Sequence, residues 1–308
     1  MEDFMIFNRD TDRLSFVKEI EFKIEKDIQK LVEKNLDVLF KLSFLTTEFP
    51  TEGYRFDTVA FNRETNSFVI IEYKRGRNES LVDQGYAYLY ILLNRKADFV
   101  LLFNETTNSS RTIKDFDWSQ TRIIFISPQF TDYQKSATEF SNMPFVLYEI
   151  KQFSNGIVSL SEITHNKAAK FENTPIEKVI DDSIQKVVKE IVVYTEQDLI
   201  NKGSEYTIEL YTALKQRILE LGDIKVDPKK LYVAFKGKSN ICDIVVLKKE
   251  LKVFINLKKG KLKDPDGLAK LVDETGHWGN GDYQVMVSDV ESFDYMMTLI
   301  RQSFKENY

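Results

Sequence analysis

Two apolar runs joined by a short polar turn constrain this chain most. Residues 54–61 (YRFDTVAF) and 68–74 (FVIIEYK) both have the composition of β-strands, and the turn NRETNS between them predicts a β-hairpin. Side chains alternate between the two faces of a strand, so Glu72 and Lys74 point the same way. The partner strand can bring Asp57 beside them. The hairpin is therefore predicted to gather two carboxylates and one ammonium at the end of a sheet.

This predicted cluster has the composition of a site for a divalent cation. Mg²⁺ prefers oxygen ligands and is typically held by one or two carboxylates together with phosphate oxygens of a substrate. A lysine beside the ion can orient water or neutralise charge that develops on phosphorus. The alternative is a solvated cross-strand pair, which is what most isolated Glu-x-Lys triplets are. Ile70 and Ile71 favour the site, because they indicate an interior strand in which an unpaired carboxylate is costly.

A helix is predicted directly after the hairpin, over residues 80–94. Gln84 and Tyr88 stand four residues apart in it and therefore share one face. That face can pack beside the strand that carries Glu72.

A second helix is predicted before the hairpin, over residues 24–40, from the 3.6-residue period of its apolar positions. Glu25 lies at the edge of the apolar stripe, where a carboxylate can reach a neighbouring site while the helix stays packed. Glu33 is the competing candidate, and an ordinary surface charge is the alternative interpretation of Glu25.

The arrangement resembles the PD-(D/E)XK nuclease superfamily, in its RecB-like and NucS-like branch. In that pattern a helix with a glutamate precedes a hairpin with D…(D/E)-x-K, and a helix with Q-x-x-x-Y follows. The resemblance covers roughly the first half of the chain, and Phe56 replaces the proline that precedes the aspartate in the motif. The corresponding residues here are Glu25, Asp57, Glu72, Lys74, Gln84 and Tyr88.

The resemblance implies a bacterial, Mg²⁺- or Mn²⁺-dependent nuclease, with DNA favoured over RNA as its substrate. Endonuclease and exonuclease activity both stay open. Asp57 and Glu72 would hold the metal, and Lys74 would position water or stabilise the transition state. Glu25 would assist through metal-bound water. Gln84 and Tyr88 would brace the site or contact substrate phosphate. Two alternatives remain: a nucleic-acid-binding protein without turnover on the same scaffold, and a protein-interaction module.

The remaining elements predict an α/β fold for residues 1–160, with a mixed central sheet flanked by helices. Residues 161–204 are interpreted as a linker with a connecting helix over 176–194. Residues 205–308 are predicted to form a smaller α+β domain. The other strands predicted in the first domain are 14–22, 98–104, 122–127 and 144–150, with a short helix around 133–140. The second domain is predicted to contain helices over 206–221, 267–275 and 290–304 and strands over 231–235, 241–247, 251–257 and 283–287.

The charge of the second domain is unevenly distributed. Residues 225–263 carry 12 lysines and 3 acidic residues, in a chain whose net charge is −5. This block is interpreted either as a solvated lysine face or as a contact surface for nucleic-acid phosphates. The candidate phosphate contacts are Lys258, Lys259, Lys261 and Lys263.

The second domain also contains a partial echo of the first hairpin, with Asp243 followed by residues 254–258 (FINLK). Asn256 replaces the second carboxylate, which favours a plain hairpin over a metal site. This half resembles an uncharacterised domain at the end of bacterial proteins labelled "predicted transport protein", through residues 254–258, 277–281 (HWGNG) and 299–303 (LIRQS). That resemblance implies no reaction. A homo-oligomer or a protein partner through this domain stays open.

Cysteine content and hydropathy indicate a cytoplasmic protein. Cys242 is the only cysteine, so no intrachain disulfide can form, which fits a reducing compartment. The first residues are acidic and lack the apolar core of a signal peptide. The longest apolar stretch, residues 86–93, is far shorter than the roughly 18 residues that indicate a membrane span.

Overall fold

The computed structural model describes residues 5–75, 81–137, 144–163, 190–272 and 280–308. The chain divides into two compact units, residues 1–193 and residues 194–308. Each unit has a sheet and a hydrophobic core of its own.

The first unit contains a mixed sheet. Its strands follow the order β4-β5-β6-β7-β8-β3, and β9 also pairs with β8, while β1 and β2 form a separate hairpin. These strands are β1 (Ile6–Asp10), β2 (Arg13–Val17), β3 (Glu19–Ile20), β4 (Leu42–Thr51), β5 (Tyr54–Asn62), β6 (Ser67–Tyr73), β7 (Arg122–Ser127), β8 (Phe145–Phe153) and β9 (Val158–Glu162). Pairing is antiparallel from β4 to β6 and parallel from β6 to β8. Strand β6 is therefore central, and every one of its residues is buried.

Helices cover both faces of this sheet. The described helices of the unit are α1 (Glu25–Glu33), α2 (Leu36–Phe40), α3 (Leu81–Asn94), α4 (Lys96–Thr107) and α5 (Asp132–Ala137). On one face, Ile28 of α1 belongs to the same core cluster as Ile71 of β6. On the other face, Leu89 of α3 and Phe99 of α4 pack in a cluster with Phe68. The predicted α/β class with a mixed, helix-flanked sheet is confirmed.

Several predicted elements of the first unit need correction. Residues 98–104 are not a strand but lie in α4, where Phe99 and Phe103 are buried against the sheet and Leu101 is exposed. A short apolar run without a clear period has the composition of either element. The helix predicted over 24–40 is two helices, because the chain leaves helical geometry at Asn35. Strand β4 was not predicted. The predicted connecting helix falls mostly on residues 164–189, outside the described residues.

The second unit packs its three described helices against an antiparallel sheet. The strand order is β10-β11-β12-β13-β15-β14. Its elements are α6 (Glu196–Ile200), α7 (Glu205–Leu219), β10 (Lys225–Pro228), β11 (Val233–Lys236), β12 (Asn240–Val246), β13 (Leu251–Ile255), β14 (Lys270–Leu271), β15 (Tyr283–Val287) and α8 (Phe293–Asn307). Leu214 of α7 and Ile300 of α8 share a core cluster with Ile244 and Val253. The helix predicted over 267–275 is wrong where it is described, because residues 270–271 form strand β14.

Among the described residues, no helix has both the length and the apolar character needed to cross a bilayer.

Candidate active site

The end of the β5–β6 hairpin brings Asp57 to the edge of β6. Regular pairing of the two strands ends at Thr58 and Ile71. Beyond that pair, a side chain rather than a backbone carbonyl accepts the next hydrogen bond. The backbone N–H of Tyr73 donates to Asp57 Oδ2 at 3.1 Å. Continuing the register by one residue places Asp57 opposite Glu72. The predicted convergence of the two carboxylates therefore follows from the hairpin register.

Glu72 is the most deeply buried charged residue of the cluster, at 3% exposure. Its Oε1 accepts from Lys74 Nζ and from Gln84 Nε2, each at 2.8 Å. Its Oε2 is buried and has no hydrogen-bond partner within the described part of the chain. A buried carboxylate oxygen without a donor is costly and calls for an explanation, such as a bound cation.

Helix α3 supplies the residues that hold Glu72. Gln84 and Tyr88 are one helical turn apart, and Gln84 Nε2 lies 2.7 Å from the Tyr88 hydroxyl. The Tyr88 ring packs edge-on against Phe56 at 4.7 Å between centroids. Because Phe56 precedes Asp57, the same helix contacts both strands of the hairpin. The predicted shared face of Gln84 and Tyr88 is confirmed, and its contact is with Glu72.

Glu25 and Glu33, the two candidates on α1, make different contacts. Glu25 is exposed in the first turn of the helix, and its Oε1 accepts the backbone N–H of Arg75 at 2.9 Å. Glu33 is half-buried and accepts from Gln29 Nε2 at 2.9 Å and from Thr58 Oγ1 at 2.7 Å. Glu25 therefore lies beside the strand end that carries Lys74, whereas Glu33 contacts β5.

Burial and the charge of a neighbouring carboxylate raise the pKa of both hairpin carboxylates. For Asp57, burial is the main cause and the charge of Glu25 adds to it, against the opposing effects of the Tyr73 N–H and Lys74. For Glu72, burial comes first and the charge of Asp57 second, and bonds from Lys74 and Gln84 oppose them. One ammonium thus faces two crowded carboxylates, and a cation would relieve both the burial cost and the repulsion.

The donor set fits Mg²⁺ or Mn²⁺ better than a softer metal. Asp57 and Glu72 offer carboxylate oxygens, one of which lacks any donor in the described chain. Within the same described ranges, no group of three or more His, Cys, Asp and Glu side chains is arranged to hold a metal ion. A site with two carboxylates leaves the remaining positions to water and substrate oxygens, which is the usual coordination of Mg²⁺.

The four candidate lysines of the second unit lie in one loop, residues 256–269, here called the lysine loop. Although it lacks regular secondary structure, its backbone is fixed by side chains. Lys263 N donates to Gln302 Oε1, and Gln302 Nε2 donates to Lys263 O, both at 2.8 Å. Lys259 N donates to Asp282 Oδ2 at 2.7 Å. Four exposed side chains of the loop are the lysines Lys258, Lys259, Lys261 and Lys263.

Gln29 and Thr58 are polar contacts of the site that the sequence interpretation missed. Gln29 is only 4% exposed and donates to the backbone carbonyl of Asp57 at 2.9 Å. Thr58 is fully buried between Glu33 and Tyr73. A signal was available for Gln29, because a polar residue lies inside the apolar stripe of α1 and one turn after Glu25.

Comparisons with known proteins give a full-length relative, a domain match and partial structural likenesses. Residues 196–307 match a family described as "Domain of unknown function (DUF5655)". This match confirms the expected uncharacterised domain at the C-terminal end.

Three solved structures align with part of the chain. They are a repair endonuclease from Pyrococcus abyssi (19% identity, 43% of this chain, 50% of that chain, TM-score 0.27), an EndoMS–dsDNA2 complex (17%, 46%, 49%, 0.26) and EndoMS in apo form (16%, 47%, 64%, 0.28). The chain thus spans about half of the length of the first two.

The full-length relative is a protein of Haemophilus influenzae described as an uncharacterized protein. It is 44% identical over 305 residues, which cover 98% of this chain and 99% of the relative. The chain therefore belongs to the family of this Haemophilus influenzae protein.

Proposed function

We propose that this protein is a cytoplasmic Mg²⁺- or Mn²⁺-dependent nuclease of the PD-(D/E)XK type that hydrolyses phosphodiester bonds, with DNA as the favoured substrate. The observation that supports it most is the buried Glu72 Oε2, which lacks a donor in the described chain beside Asp57 and Lys74. A purely structural ion pair would have no reason to bury a second, unpaired oxygen.

Asp57 and Glu72 would hold the ion, which when bound supplies Lewis-acid catalysis and a more acidic water. The protein holds the ligands in place beforehand. The Tyr73 N–H orients one oxygen of Asp57, and Gln84 orients Oε1 of Glu72. These bonds leave the other Glu72 oxygen for the ion.

Lys74 is the electrostatic partner of the reaction. Hydrolysis forms a bond from a water oxygen to phosphorus, breaks one ester bond and releases an alcohol that takes up a proton. Negative charge builds on the phosphoryl oxygens as this occurs, and an ammonium held in a poorly solvated site stabilises that charge. Lys74 is held at such a position by its 2.8 Å bond to Glu72. Glu25 would assist through a metal-bound water, and Tyr88 would brace Gln84.

The lysine loop would contribute to binding rather than to chemistry. Its fixed backbone carries four exposed lysines, so little backbone conformational entropy is lost when they meet phosphates. Lysine–phosphate contacts are independent of sequence and release counterions, so their contribution weakens with salt.

The decisive experiment is a cleavage assay on single- and double-stranded DNA and RNA, with Mg²⁺, Mn²⁺ or EDTA. We expect metal-dependent cleavage by the wild type and its loss in Lys74→Met, with substrate binding retained. The matched control is Lys215→Met in the second unit, which removes a lysine from a half-buried pair with Glu196 at 2.6 Å. Its cleavage should equal that of the wild type.

Two outcomes would replace this function. Binding without cleavage, unaffected by Lys74→Met, would identify a non-catalytic nucleic-acid-binding protein. Absence of nucleic-acid binding at every salt concentration would favour a protein-interaction module.

A further inference from the structure

Helix α1 presents a polar stripe to the strands of the candidate site. Glu25, Gln29 and Glu33 follow one another at four-residue intervals and therefore run along one side of the helix. The neighbouring Ile28 and Val32 are fully buried and hold the helix against the sheet. Gln29 is buried and Glu33 is half-buried against the sheet, whereas Glu25 is exposed. Each of the three contacts a different point of the hairpin or the chain that follows it.

Gln29 binds the main chain of Asp57 itself. Its Nε2 lies 2.9 Å from Asp57 O, Thr47 Oγ1 and Glu33 Oε1, so two hydrogens serve three acceptors. Glu48, which stands opposite Asp57 between the pairs Thr47–Thr58 and Phe49–Phe56, has a φ of 51°, outside strand geometry. Gln29 therefore provides a side-chain donor to the Asp57 carbonyl at the position where strand geometry is disturbed.

Glu33 terminates a directed chain of hydrogen bonds from β6. Thr58 has one hydroxyl hydrogen and donates it to Glu33 Oε1 at 2.7 Å. The 3.1 Å contact between Thr58 Oγ1 and the Tyr73 hydroxyl must then be donated by Tyr73. Glu33 thus ties together Thr58 and Tyr73, the two residues that flank Asp57 and Glu72 along their strands.

We propose that Gln29 and Glu33 are positioning residues, through which α1 sets the separation of Asp57 on β5 from Glu72 on β6. Neither side chain touches the metal or the substrate. Gln29 acts through the Asp57 carbonyl, and Glu33 acts through the Thr58–Tyr73 pair. Glu25 at the start of the same stripe fixes Arg75, just beyond Lys74, so one helix spans the whole length of the site. This inference rests on the proposed metal-dependent function.

The test compares metal affinity in variants of one helix. Gln29→Leu removes the three contacts and keeps an apolar volume in place. We expect its half-saturating Mn²⁺ concentration, measured from the metal-dependent rise in melting temperature, to increase by about 10- to 100-fold, as is common when a group that orients a ligand is lost. The rate constant kcat should fall by a similar factor while KM for the nucleic acid changes by less than about twofold.

Further variants separate positioning from stability. Val32→Ala opens a cavity in the same helix without touching the polar stripe, so it should lower the melting temperature and leave Mn²⁺ affinity unchanged. Glu33→Leu, which removes the acceptor of Thr58, should lose Mn²⁺ affinity as Gln29→Leu does, and Glu33→Gln, which keeps an acceptor, should restore it. If Gln29→Leu does not fold, Thr58→Val, which breaks the chain between Tyr73 and Glu33 at nearly constant volume, should show the same loss of affinity.

The outcomes distinguish this inference from the proposed function. A wild type that binds Mn²⁺ and cleaves, with a Gln29→Leu variant equal to Val32→Ala in Mn²⁺ affinity, overturns the positioning role alone. A wild type that neither binds Mn²⁺ nor cleaves overturns both.

Discussion

The two units each contain an antiparallel hairpin with an aspartate on the first strand and a lysine beyond the second, yet the hairpins differ in register. In β5–β6, Asp57 comes one position beyond the Thr58–Ile71 pair and so opposes Glu72. In β12–β13, Asp243 pairs with Phe254 instead.

The similar residue pattern in the second unit therefore has a different strand register from that of the β5–β6 hairpin. Asn256, which follows Phe254 by two residues, donates its backbone N–H to Ile241 O at 3.1 Å. Lys258 lies further on, is 83% exposed at its side chain and approaches Asp282 at 3.7 Å. The same order of residue types thus produces convergence in one hairpin and separation in the other.

The two aspartate sites also differ in how their carboxylates are satisfied. Both oxygens of the fully buried Asp243 accept hydrogen bonds, Oδ1 from Asn240 at 3.0 Å and Oδ2 from the side chain of Asn280 at 3.1 Å. Glu72 beside Asp57 keeps an oxygen without a donor in the described chain. A satisfied buried carboxylate anchors structure, whereas an unsatisfied one calls for an explanation such as a bound ion.

The largest expected effect is on cleavage. Asp57→Asn or Glu72→Gln should reduce the cleavage rate by at least about 100-fold, since removing a ligand costs more than disturbing a group that orients one. Asp243→Asn should leave the rate per folded molecule unchanged. Initial rates under Mg²⁺, normalised by folded fraction, measure the contrast. Equal losses in both hairpins would show that the first is no more a metal site than the second.

Metal binding should stabilise the wild type by an amount that depends on the first hairpin alone. At Mn²⁺ concentrations 100-fold above Kd, mass action contributes about 2.7 kcal/mol. The Asp57→Asn/Glu72→Gln double variant should show no rise in melting temperature, and Asp243→Asn should show the wild-type rise. A rise that persists in the double variant would place the ion elsewhere.

Without metal, the free energy of unfolding should fall more for Asp243→Asn than for Glu72→Gln. Asp243→Asn replaces one accepting oxygen with a donor that faces the Asn280 amide, and should cost about 1–3 kcal/mol. Glu72→Gln should cost less or even stabilise, because it removes a buried charge that Asp57 repels. Urea unfolding in EDTA measures both. A larger cost for Glu72→Gln would contradict the distinction between anchor and site.

The lysine loop should affect binding without affecting chemistry. Changing Lys258, Lys259, Lys261 and Lys263 to glutamine should weaken nucleic-acid binding alike for all sequences and lower the log–log salt slope by about 0.9 for each lost contact. Cleavage at saturating substrate should remain.

Lys248 and Lys249, exposed lysines of the same basic block outside the loop, provide the control for this prediction. Their neutralisation should change the salt slope less. An unchanged slope in the loop variant would leave its lysines as a solvated face and favour a protein partner for the second unit.

The smallest expected effect is a pair of opposite pH dependences. In the first unit the folded pKa values of Asp57 and Glu72 are raised, so metal-free stability is lost as pH rises from their ordinary values of 3.8 and 4.5 through the folded values. For Asp227, burial alone would raise the pKa, but Lys229 and Lys236 outweigh it and hold the pKa below 3.8. Its stabilisation is present above 3.8 and is lost as pH falls through the folded value.

Melting temperatures in EDTA from about pH 4 to 8, a range that begins near ordinary carboxylate pKa values, measure this contrast. Relative to the wild type, the Asp57→Asn/Glu72→Gln variant should gain stability toward the high end. Asp227→Asn should instead be less stable by a nearly constant amount over this range, because the stabilisation from Asp227 is lost only below 3.8. If the melting temperatures of the two variants change with pH in the same way, the expected electrostatic difference between the units is wrong.

Strongly periodic segments were predictable, and apolar runs without a period were not. The β5–β6 hairpin and helix α3 were correctly located, because alternation and four-residue spacing are local properties. Residues 98–104 were assigned to a strand although they lie in α4, since their apolar composition suits any buried element. The helix expected over 267–275 failed where described, because residues 270–271 complete a sheet edge through a distant partner, β15.

The sequence by itself determined which chemical groups are present and how they alternate along each strand, which was enough to associate Asp57, Glu72 and Lys74. Only the tertiary structure decided the register that sets Asp57 opposite Glu72 and Asp243 opposite Phe254. It also decided which carbonyl and carboxylate oxygens of the strands meet side-chain donors, because donors such as Gln29 and Gln84 come from helices that pack onto the strands. Spacing along a chain is a local property, whereas register, burial and hydrogen-bond satisfaction depend on what packs against each residue.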